Sequence, residues 1–344
     1  MNSLNEPGKA SMIEVSIIIP FQRESDYLIE SLQWIGKLEN RQFEVILLPD
    51  QPIDPGFLAA HVPTSVAYAE VVTGPVSPAI KRDLGAQQAQ GAVLAFIDDD
   101  AYPQPDWLDQ ALPHFEDPRV CGVGGPQVTP ANDNFWQKVS GATFLSPLNG
   151  SAVMRYYPYK EVVEVDDWPS VNLLVRKSDF VTVGGFDNAF WPGEDTKLCA
   201  ELVGLGKKIL YEGRAVVFHH RRSGFRRHMR QIGNYGEHRG YFVKILPQTS
   251  LRLSYMLPSG FFMFVLFGWL SCFAPPPGPQ LYFFGWVLYG LAILIHLIGV
   301  WQKAGSLVIS LATTPYLLGT HFVYGYRFLK GLLSGRDFTS KLGR

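Results

Sequence analysis

Three consecutive aspartates, Asp98, Asp99 and Asp100, directly follow an apolar run over residues 92–97. The run is typical of a buried strand, which places the acids where the strand ends, at the edge of a sheet. Because side chains alternate along an extended backbone, Asp98 and Asp100 are expected to point the same way. Carboxylate oxygens are ligands that Mg²⁺ and Mn²⁺ prefer, often together with substrate phosphates. The triplet alone is consistent with a cation site or with a solvated turn.

Polar residues follow other apolar runs as well. Glu24 and Asp50 come after the first two such runs, and the pair His219 and His220 comes after the last. Ligands of open α/β sheets bind beyond the carboxyl ends of the strands, where these residues are expected to lie. Their shared location favours one common site, although a histidine there is more often structural than a ligand.

The order of the apolar runs indicates the fold class. Strand-like runs over residues 15–19, 43–48, 66–72 and 92–97 alternate with helix-like patterns. Near-continuous apolar strands separated by helices are typical of a parallel sheet covered on both faces. The sequence therefore predicts an α/β domain with a mostly parallel sheet.

Two further acids stand where a helix is expected to begin. Glu194 and Asp195 follow Gly193 and precede a helical pattern of leucines at 198, 202 and 205. Acids in a first helical turn are favoured by the helix dipole, so simple capping is one interpretation of this pair. A role in chemistry is the other.

Overall composition excludes several classes of protein. The net charge of −1 over 344 residues gives no general attraction for nucleic acid. An arginine-rich segment over residues 219–239 is better suited to a membrane surface or an anionic lipid. The three cysteines are far apart, so no disulfide framework or cysteine metal site is indicated. Residues 1–12 lack the apolar core of a secretory signal.

The C-terminal region differs in composition from the rest of the chain. No Asp, Glu, Lys or Arg occurs from residue 253 to residue 302, and residues 304–326 are uncharged as well. A membrane-crossing helix needs ~20 mostly apolar residues. Three segments qualify, over residues 255–273, 281–301 and 307–326, with a very apolar soluble helical domain as the alternative.

The charges that flank these segments predict their orientation. Basic residues precede the first segment and follow the last, so both ends are expected in the cytoplasm. Three full crossings would separate the two ends, and one segment is therefore expected to be re-entrant or interfacial. Pro315 makes the third segment suspect.

Taken together, the polar clusters resemble the motifs of a family 2 glycosyltransferase of the GT-A (nucleotide-diphospho-sugar transferase) fold. The motifs occur in the family's order at residues 16–20 with Glu24, 81–85, 96–100, 184–187, 193–195 and 217–220. They correspond to the opening strand, the "ARNxG" helix, the DxD metal motif, the "GGFD" and "ED" motifs and a late histidine. Residues 321–331 resemble the terminal segment of the bacterial succinoglycan-type exopolysaccharide branch.

The resemblance implies inverting, metal-dependent transfer from a nucleotide-diphosphate sugar to a lipid-linked or saccharide acceptor, in cell-surface polysaccharide or glycolipid synthesis. It assigns the candidate residues as follows: for catalysis, Asp195 as base with Glu194; for the donor, Pro20, Glu24, Asp50, Arg82, Asp98 and Asp99; for Mg²⁺ or Mn²⁺, Asp98, Asp100 and His219; for sugar or acceptor, Gly185, Phe186, Asp187 and Trp191. Whether His219 or His220 is the ligand stays open.

The sequence departs from the family pattern at two places. Asp50 stands in Pro-Asp-Gln-Pro rather than a "DDGS" type sequence, which leaves the nucleotide open. The QxxRW motif of processive synthases is missing after Gln231, which favours addition of one sugar at a time. The alternatives are a catalytically silent membrane scaffold of the same fold and another metal-dependent phosphoryl or nucleotidyl transferase.

The expected organisation has four parts. A flexible N-terminus is expected over residues 1–12, the GT-A domain over 13–245, a membrane region of two or three hydrophobic helices over 246–331, and a polar tail over 332–344. The location that follows is the cell inner (plasma) membrane, multi-pass, with the catalytic domain in the cytoplasm and no nucleic-acid partner.

Overall fold

The computed structural model describes residues 13–40, 42–64, 66–186, 188–190 and 193–335. The segment 1–12, most of the tail, and the predicted acceptor residues Asp187 and Trp191 lie outside the described residues.

The strands of the described residues all lie before residue 220, where they alternate with helices. The described residues contain β1 (Val15–Pro20), β2 (Phe43–Leu48), β3 (Ala67–Glu70), β4 (Val93–Phe96), β5 (Ala101–Pro103), β6 (Val120–Gly124), β7 (Gln127–Val128), β8 (Val163–Val165), β9 (Leu173–Arg176), β10 (Lys208–Tyr211) and β11 (Val217–His219).

Helices alternate with the strands and then continue alone to the C-terminal side. They are α1 (Asp26–Ile35), α2 (Pro55–His61), α3 (Pro78–Gln88), α4 (Trp107–Ala111), α5 (Phe135–Thr143), α6 (Lys177–Thr182), α7 (Glu194–Gly204), α8 (Phe225–Ile245), α9 (Pro247–Ser250), α10 (Leu253–Phe267), α11 (Gly278–Ala304) and α12 (Leu307–Leu333).

The main sheet has eight strands in the order β3-β2-β1-β4-β9-β6-β10-β8. Strands β1 to β4 are parallel, and β6 is parallel to β10, whereas β9 runs antiparallel between β4 and β6. Apolar side chains on both faces form two buried clusters under the helices. The prediction of a mostly parallel sheet covered on both faces is confirmed, with β9 and the edge strand β8 as its antiparallel members.

A small second sheet carries His219 at the end of the α/β domain. Its order is β5-β11-β7, and β11 pairs antiparallel with β5 so that His219 lies opposite Ala101. Because Ala101 directly follows the aspartate triplet, this pairing brings His219 to residues that lie more than a hundred positions earlier.

Helix α3 begins with strong local signals. The Ser77 side chain accepts a hydrogen bond from the Ile80 amide, and Pro78 stands at the first helical position, which suits its fixed φ. The helix then directs Lys81 and Arg82 inward, and both are buried.

Three C-terminal helices are long and apolar enough to cross a membrane: Leu253–Phe273, Gly278–Ala304 and Leu307–Leu333. The three apolar segments predicted from composition are therefore confirmed as helices. Pro315 lies inside α12 without ending it.

Candidate active site

Asp98, Asp100 and His219 converge at the edge of the sheet. Each offers a ligand atom, and these atoms all lie within 4.8 Å of one another. His219 Nε2 is 3.2 Å from Asp100 Oδ1, and Arg222 Nη1 is 3.5 Å from Asp100 Oδ2. Two hard carboxylate oxygens and one imidazole nitrogen form a donor set that suits Mg²⁺ or Mn²⁺. These residues therefore fit a divalent cation.

Burial and neighbouring charges shift the pKa values of Asp99 and Asp100 in opposite directions. Burial alone would raise the pKa of Asp100, but His219 and Arg222 outweigh it and lower the pKa to about 2. Burial raises the pKa of Asp99 to about 7, and the charges of Asp100 and Asp98 add to the rise. Asp100 is thus the firmly ionised member next to the histidine.

Gln127 fixes the orientation of His219. The His219 Nδ1 atom lies 2.7 Å from Gln127 Oε1, which also accepts a hydrogen bond from Arg221 Nη1 at 3.1 Å. Arg221 Nη1 also lies 3.1 Å from Nδ1, but since an amide oxygen only accepts, the arrangement that satisfies Gln127 has both Nδ1–H and Arg221 Nη1 donating to its Oε1. Nε2 is then the atom that faces the aspartates: it pairs with Asp100 when the ring is protonated, and in the neutral ring its lone pair is free for a cation, as in metal-binding histidines whose other nitrogen is held by the protein.

His220 has different neighbours. Its Nδ1 lies 2.5 Å from Asp133 Oδ1 and its Nε2 lies 2.8 Å from Glu30 Oε2. Burial alone would lower the pKa of His220, but these two carboxylates raise it. Both ring nitrogens are therefore engaged away from the aspartate triplet.

Arg82 connects the triplet to the start of α7. Its Nη2 donates to Asp98 Oδ1 at 2.7 Å and its Nη1 donates to Glu194 Oε1 at 3.1 Å. The guanidinium lies 5.5 Å from the centre of the Phe186 ring. Its Nε is buried without a hydrogen-bond partner among the described residues. Arg82 thus brings two predicted site acids, Asp98 and Glu194, into one cluster.

Asp195 lies beside this cluster in the first turn of α7. Its Oδ1 accepts a hydrogen bond from the Thr196 amide at 2.8 Å. Desolvation by the surrounding protein is the main cause that raises the pKa of this carboxyl to about 7, and the negative charges of Glu194 and Asp167 contribute to the rise. A carboxyl group with such a pKa can accept a proton near neutral pH.

A buried ionic network supports the start of α7. Asp167 Oδ1 accepts a hydrogen bond from Thr196 Oγ1 at 3.1 Å, and its Oδ2 pairs with Arg239 at 2.5 Å and with Arg155 at 3.2 Å. Burial opposes the charge of Asp167, but the two arginines lower its pKa well below the usual range. The network ties α7 to α8.

The predicted donor side is organised around Lys81. Its Nζ donates to Asp50 Oδ1 at 2.5 Å, to the Leu48 carbonyl at 3.1 Å and to the Phe21 carbonyl. The buried lysine therefore joins the ends of β1, which finishes at Pro20, and β2. Glu24 lies on the same side, where its Oε1 accepts a hydrogen bond from the Asp54 amide at 3.1 Å.

The side chain of Asp83 supports the "GGFD" turn. Gly185 has a φ of +81°, which suits glycine, and a Cβ there would lie 2.6 Å from Asp83 Oδ1. The Phe186 amide donates to Asp83 Oδ1 at 2.8 Å, and the Phe186 ring is buried against Phe96. The structure thus places Phe186 in the core beneath Arg82.

Several residues of this site were not singled out from the sequence: Lys81, Gln127, Asp167, Arg155 and Arg239. Lys81 lies in the "ARNxG"-like segment and could have been found from its position beside Arg82. The others have no local pattern, because their partners are distant in the sequence, as with Asp167 and Arg239.

Comparison with known proteins supports one family. The family model described as "Glycosyl transferase family group 2" matches residues 93–316. The model described as "Glycosyl transferase family 2" matches residues 16–168. The first match alone spans more than half of the chain.

Two curated relatives are similar in sequence. The pre-mycofactocin glycosyltransferase of Mycobacterium tuberculosis (strain ATCC 25618 / H37Rv) is 28% identical over 235 residues, which are 67% of this chain and 47% of that protein. The chain thus spans about half the length of that relative. A Methanococcus voltae protein is 23% identical over 94% of this chain and 98% of its own length. It is a dolichyl N-acetyl-alpha-D-glucosaminyl phosphate 3-beta-D-2,3-diacetamido-2,3-dideoxy-beta-D-glucuronosyltransferase.

A solved structure has a similar fold. It is the mannosyltransferase PcManGT from Pyrobaculum calidifontis in complex with GDP-Man and Mn²⁺, with a TM-score of 0.58. The identity is 16%, and the similarity covers 89% of this chain and 87% of that one. At this level of identity the likeness confirms the GT-A fold.

Proposed function

Since the chain belongs to glycosyl transferase family 2, we propose that it is an inverting, metal-dependent glycosyltransferase. It moves one sugar at a time from a nucleotide-diphosphate sugar to the hydroxyl of a lipid-linked or saccharide acceptor. The product belongs to a cell-surface polysaccharide or glycolipid, in keeping with the resemblance of residues 321–331 to the succinoglycan-type branch.

One observation carries the proposal. Arg82 holds Asp98 and Glu194 at the same time, so the start of α7 stays beside the candidate cation ligands. Transfer between two substrates requires that the group that neutralises the leaving group and the base be fixed in one cleft. The arrangement of Asp98, Arg82, Glu194 and Asp195 meets this requirement.

Asp98, Asp100 and His219 would hold the cation, Mg²⁺ or Mn²⁺. When bound, it would offset the charge of the departing nucleoside diphosphate. Gln127 keeps the His219 lone pair directed to this position. The Mn²⁺ in the complex of the Pyrobaculum calidifontis mannosyltransferase supports this part of the proposal.

Asp195 is the proposed general base. Its carboxylate takes the proton of the acceptor hydroxyl as the oxygen attacks the anomeric carbon from the side opposite the diphosphate, which inverts that carbon. Desolvation and the neighbouring acids raise the pKa of this carboxyl, which suits the task because its proton affinity is then higher than that of an ordinary aspartate.

The remaining predicted residues have assigned parts in the proposal. Pro20, Glu24, Asp50, Arg82 and Asp99 line the donor side, and Gly185, Phe186, Asp187 and Trp191 belong to the sugar and acceptor side. Because the Phe186 ring is buried, its part is indirect: it packs against the guanidinium of Arg82. The phosphate-linked dolichyl substrate in the name of the Methanococcus voltae relative supports a lipid-linked acceptor. We place the enzyme in the plasma membrane with its catalytic domain in the cytoplasm.

Asp195→Asn tests the proposal directly. We expect release of nucleoside diphosphate from the best donor of a nucleotide-sugar panel to fall ~10²–10⁴-fold, as for loss of a general base. Binding of the nucleotide in the presence of Mn²⁺ should be unchanged. Asp109→Asn, at an exposed position of α4, is the matched control and should keep full activity.

Two results would contradict the assignment. A parallel loss of nucleotide binding in Asp195→Asn would mean that the carboxyl group belongs to the donor site. An absence of donor turnover in the wild-type protein with every nucleotide sugar and membrane acceptor would favour a scaffold or another transferase.

A further inference from the structure

Helix α12 meets the usual criteria for a membrane crossing. It has 27 residues, and its most apolar window has a mean hydropathy of 1.2, which is the lowest of the three C-terminal helices. Length and composition alone do not say whether the neighbours of such a helix are lipids or protein. Part of α12 packs against α10 and α11, as between Ser259 and the Gly325 carbonyl at 3.1 Å and between His296 and Thr313 at 2.7 Å, and the contacts on its remaining side identify its other neighbours.

The catalytic domain covers one side of α12 from its first turn. Tyr316 is buried with Val139 of α5 and Met229 of α8, and Ile309 and Ala312 pack against the same cluster. These residues recur every three or four positions, as expected for one face of a helix. The first half of α12 therefore rests on the catalytic domain.

The same face continues along α8 to the other end of α12. Thr320 Oγ1 lies 3.4 Å from His228 Nε2, and Gly331 packs against the backbone of Glu237. Arg327 and Lys330 both pair with Glu237, the latter at 2.6 Å. From Ile309 to Gly331 the contact extends about 33 Å, which is about the thickness of the hydrocarbon core.

Helix α8 runs parallel to α12 and is too polar for the interior of a bilayer. It carries six charged side chains, at positions 226, 227, 230, 237, 239 and 244. Arg226, Arg227 and Arg230 are exposed. Arginine side chains are strongly unfavourable at the centre of a bilayer, so these three alone would oppose insertion of α8. A crossing by α12 would carry α8 with it.

We propose that α12 does not cross the membrane but lies in the plane of its surface, on the side of the catalytic domain, between that domain and the lipid. Its uncovered side supplies apolar contacts for the bilayer, with Leu307, Val308, Leu311 and Leu318 exposed. The exposed arginines of α8 lie beside it and suit anionic headgroups. This proposal concerns attachment and is independent of the proposed chemistry.

The arrangement has a consequence for the whole membrane region. Both ends of α12 lie on the catalytic side, so α10 and α11 must leave and return on that side. The basic residues on both flanks of the apolar region then share one side, as the positive-inside rule requires. Helix α12 is thus the interfacial segment that the charge pattern demands.

Single-cysteine labelling in sealed vesicles tests this topology on the full chain. Cys121 and Cys199 are buried, so Cys272→Ser gives a background without an exposed thiol among the described residues. Gln302→Cys, in the last turn of α11, and Gly335→Cys then flank α12 on its two sides. Gln88→Cys on α3 marks the catalytic domain, and all three positions are exposed. Each is treated with a membrane-impermeant maleimide in right-side-out and inside-out vesicles.

We expect positions 302, 335 and 88 to react from the same face. Reaction of positions 302 and 335 from opposite faces would overturn the proposal. A nitroxide at Leu318→Cys, in vesicles of phosphatidylcholine and phosphatidylglycerol, gives a second reading that does not need labelling of the ends. The proposal requires a depth of about 5–10 Å, as for interfacial helices, and a depth near the bilayer centre would refute it.

Discussion

Replacing Gly240 by alanine tests how closely α8 and α12 pack. A methyl group there would lie 2.0 Å from the Phe328 carbonyl oxygen and 2.9 Å from the Leu332 amide nitrogen. Both are backbone atoms, so no side-chain rotation relieves the overlap. Carbon contacts are favourable only near ~3.5–4.0 Å, and the two helices must therefore move apart by more than about 1 Å.

The expected cost follows from this geometry. Overpacking of a tight contact typically costs ~1–3 kcal/mol, and here the displacement also opens the contact along the rest of α12. Gly204 is the matched control, because a Cβ at this helical position meets no atom within 4 Å. Alanine at Gly204 should be neutral or stabilise by up to ~1 kcal/mol.

Thermal unfolding of the purified protein in detergent measures the difference. At ~2–4 °C per kcal/mol, Gly240→Ala should lower the Tm by about 2–12 °C. Gly204→Ala should not lower it. Gly331→Ala, whose Cβ would lie 1.9 Å from the Glu237 carbonyl oxygen, should behave like Gly240→Ala. Equal Tm values for Gly240→Ala and Gly204→Ala would refute the close packing and weaken the placement of α12.

Three further predictions concern the site. Gln127→Ala frees the His219 ring and should weaken Mn²⁺ binding ~10–100-fold, measured by calorimetric titration; unchanged affinity would contradict the orienting role. His220→Asn breaks two buried hydrogen bonds and should cost ~1–3 kcal/mol of stability in a denaturant titration, with the same Mn²⁺ affinity as the wild type. Because a base must be ionised and burial raises the pKa of Asp195 to about 7, kcat/KM should fall about tenfold per pH unit below that value. Glu194→Gln removes a neighbouring negative charge and should shift the acidic limb of the pH profile to lower pH. An unshifted limb would show that Glu194 does not influence the pKa of Asp195.

Local patterns sufficed for the elements that carry the aspartate triplet. The apolar run before Asp98 became β4 with every residue buried, because a strand covered on both faces needs apolar side chains throughout. The helix that begins at Glu194 was equally visible, since its leucines recur at helical spacing. Both signals arise within a dozen residues and do not depend on distant partners.

Contacts between residues far apart in the chain could not be predicted from the sequence. Strand β9 is apolar over Leu173, Leu174 and Val175, like the strands β4 and β6 on either side of it, and its antiparallel direction depends on how the chain returns to the sheet. The bond between Gln127 and His219 joins residues 92 positions apart, and nothing in the segment around Gln127 marks it. Such contacts are set by the packed fold and leave no periodic trace.

The two adjacent histidines illustrate the same limit. Alternation along β11 implies that His219 and His220 point to opposite sides, but it does not say which side holds the aspartates. The antiparallel pairing with β5 decides this, because it places His219 opposite Ala101 and next to Asp100. His220 is thereby directed to Asp133 and Glu30.

If α12 lies at the membrane surface as proposed, hydropathy overstates the number of crossings, and the packing of α12 gives the reason. An uncharged helix is expected wherever both sides are shielded from water, whether by lipid or by protein. Tyr316 of α12 is almost fully buried against Val139 of α5, and the backbone of α12 at Phe328 lies directly against Gly240 of α8. The apolar character of this face is therefore explained by the catalytic domain, and the lipid is needed only for the exposed side that carries Leu311 and Leu318.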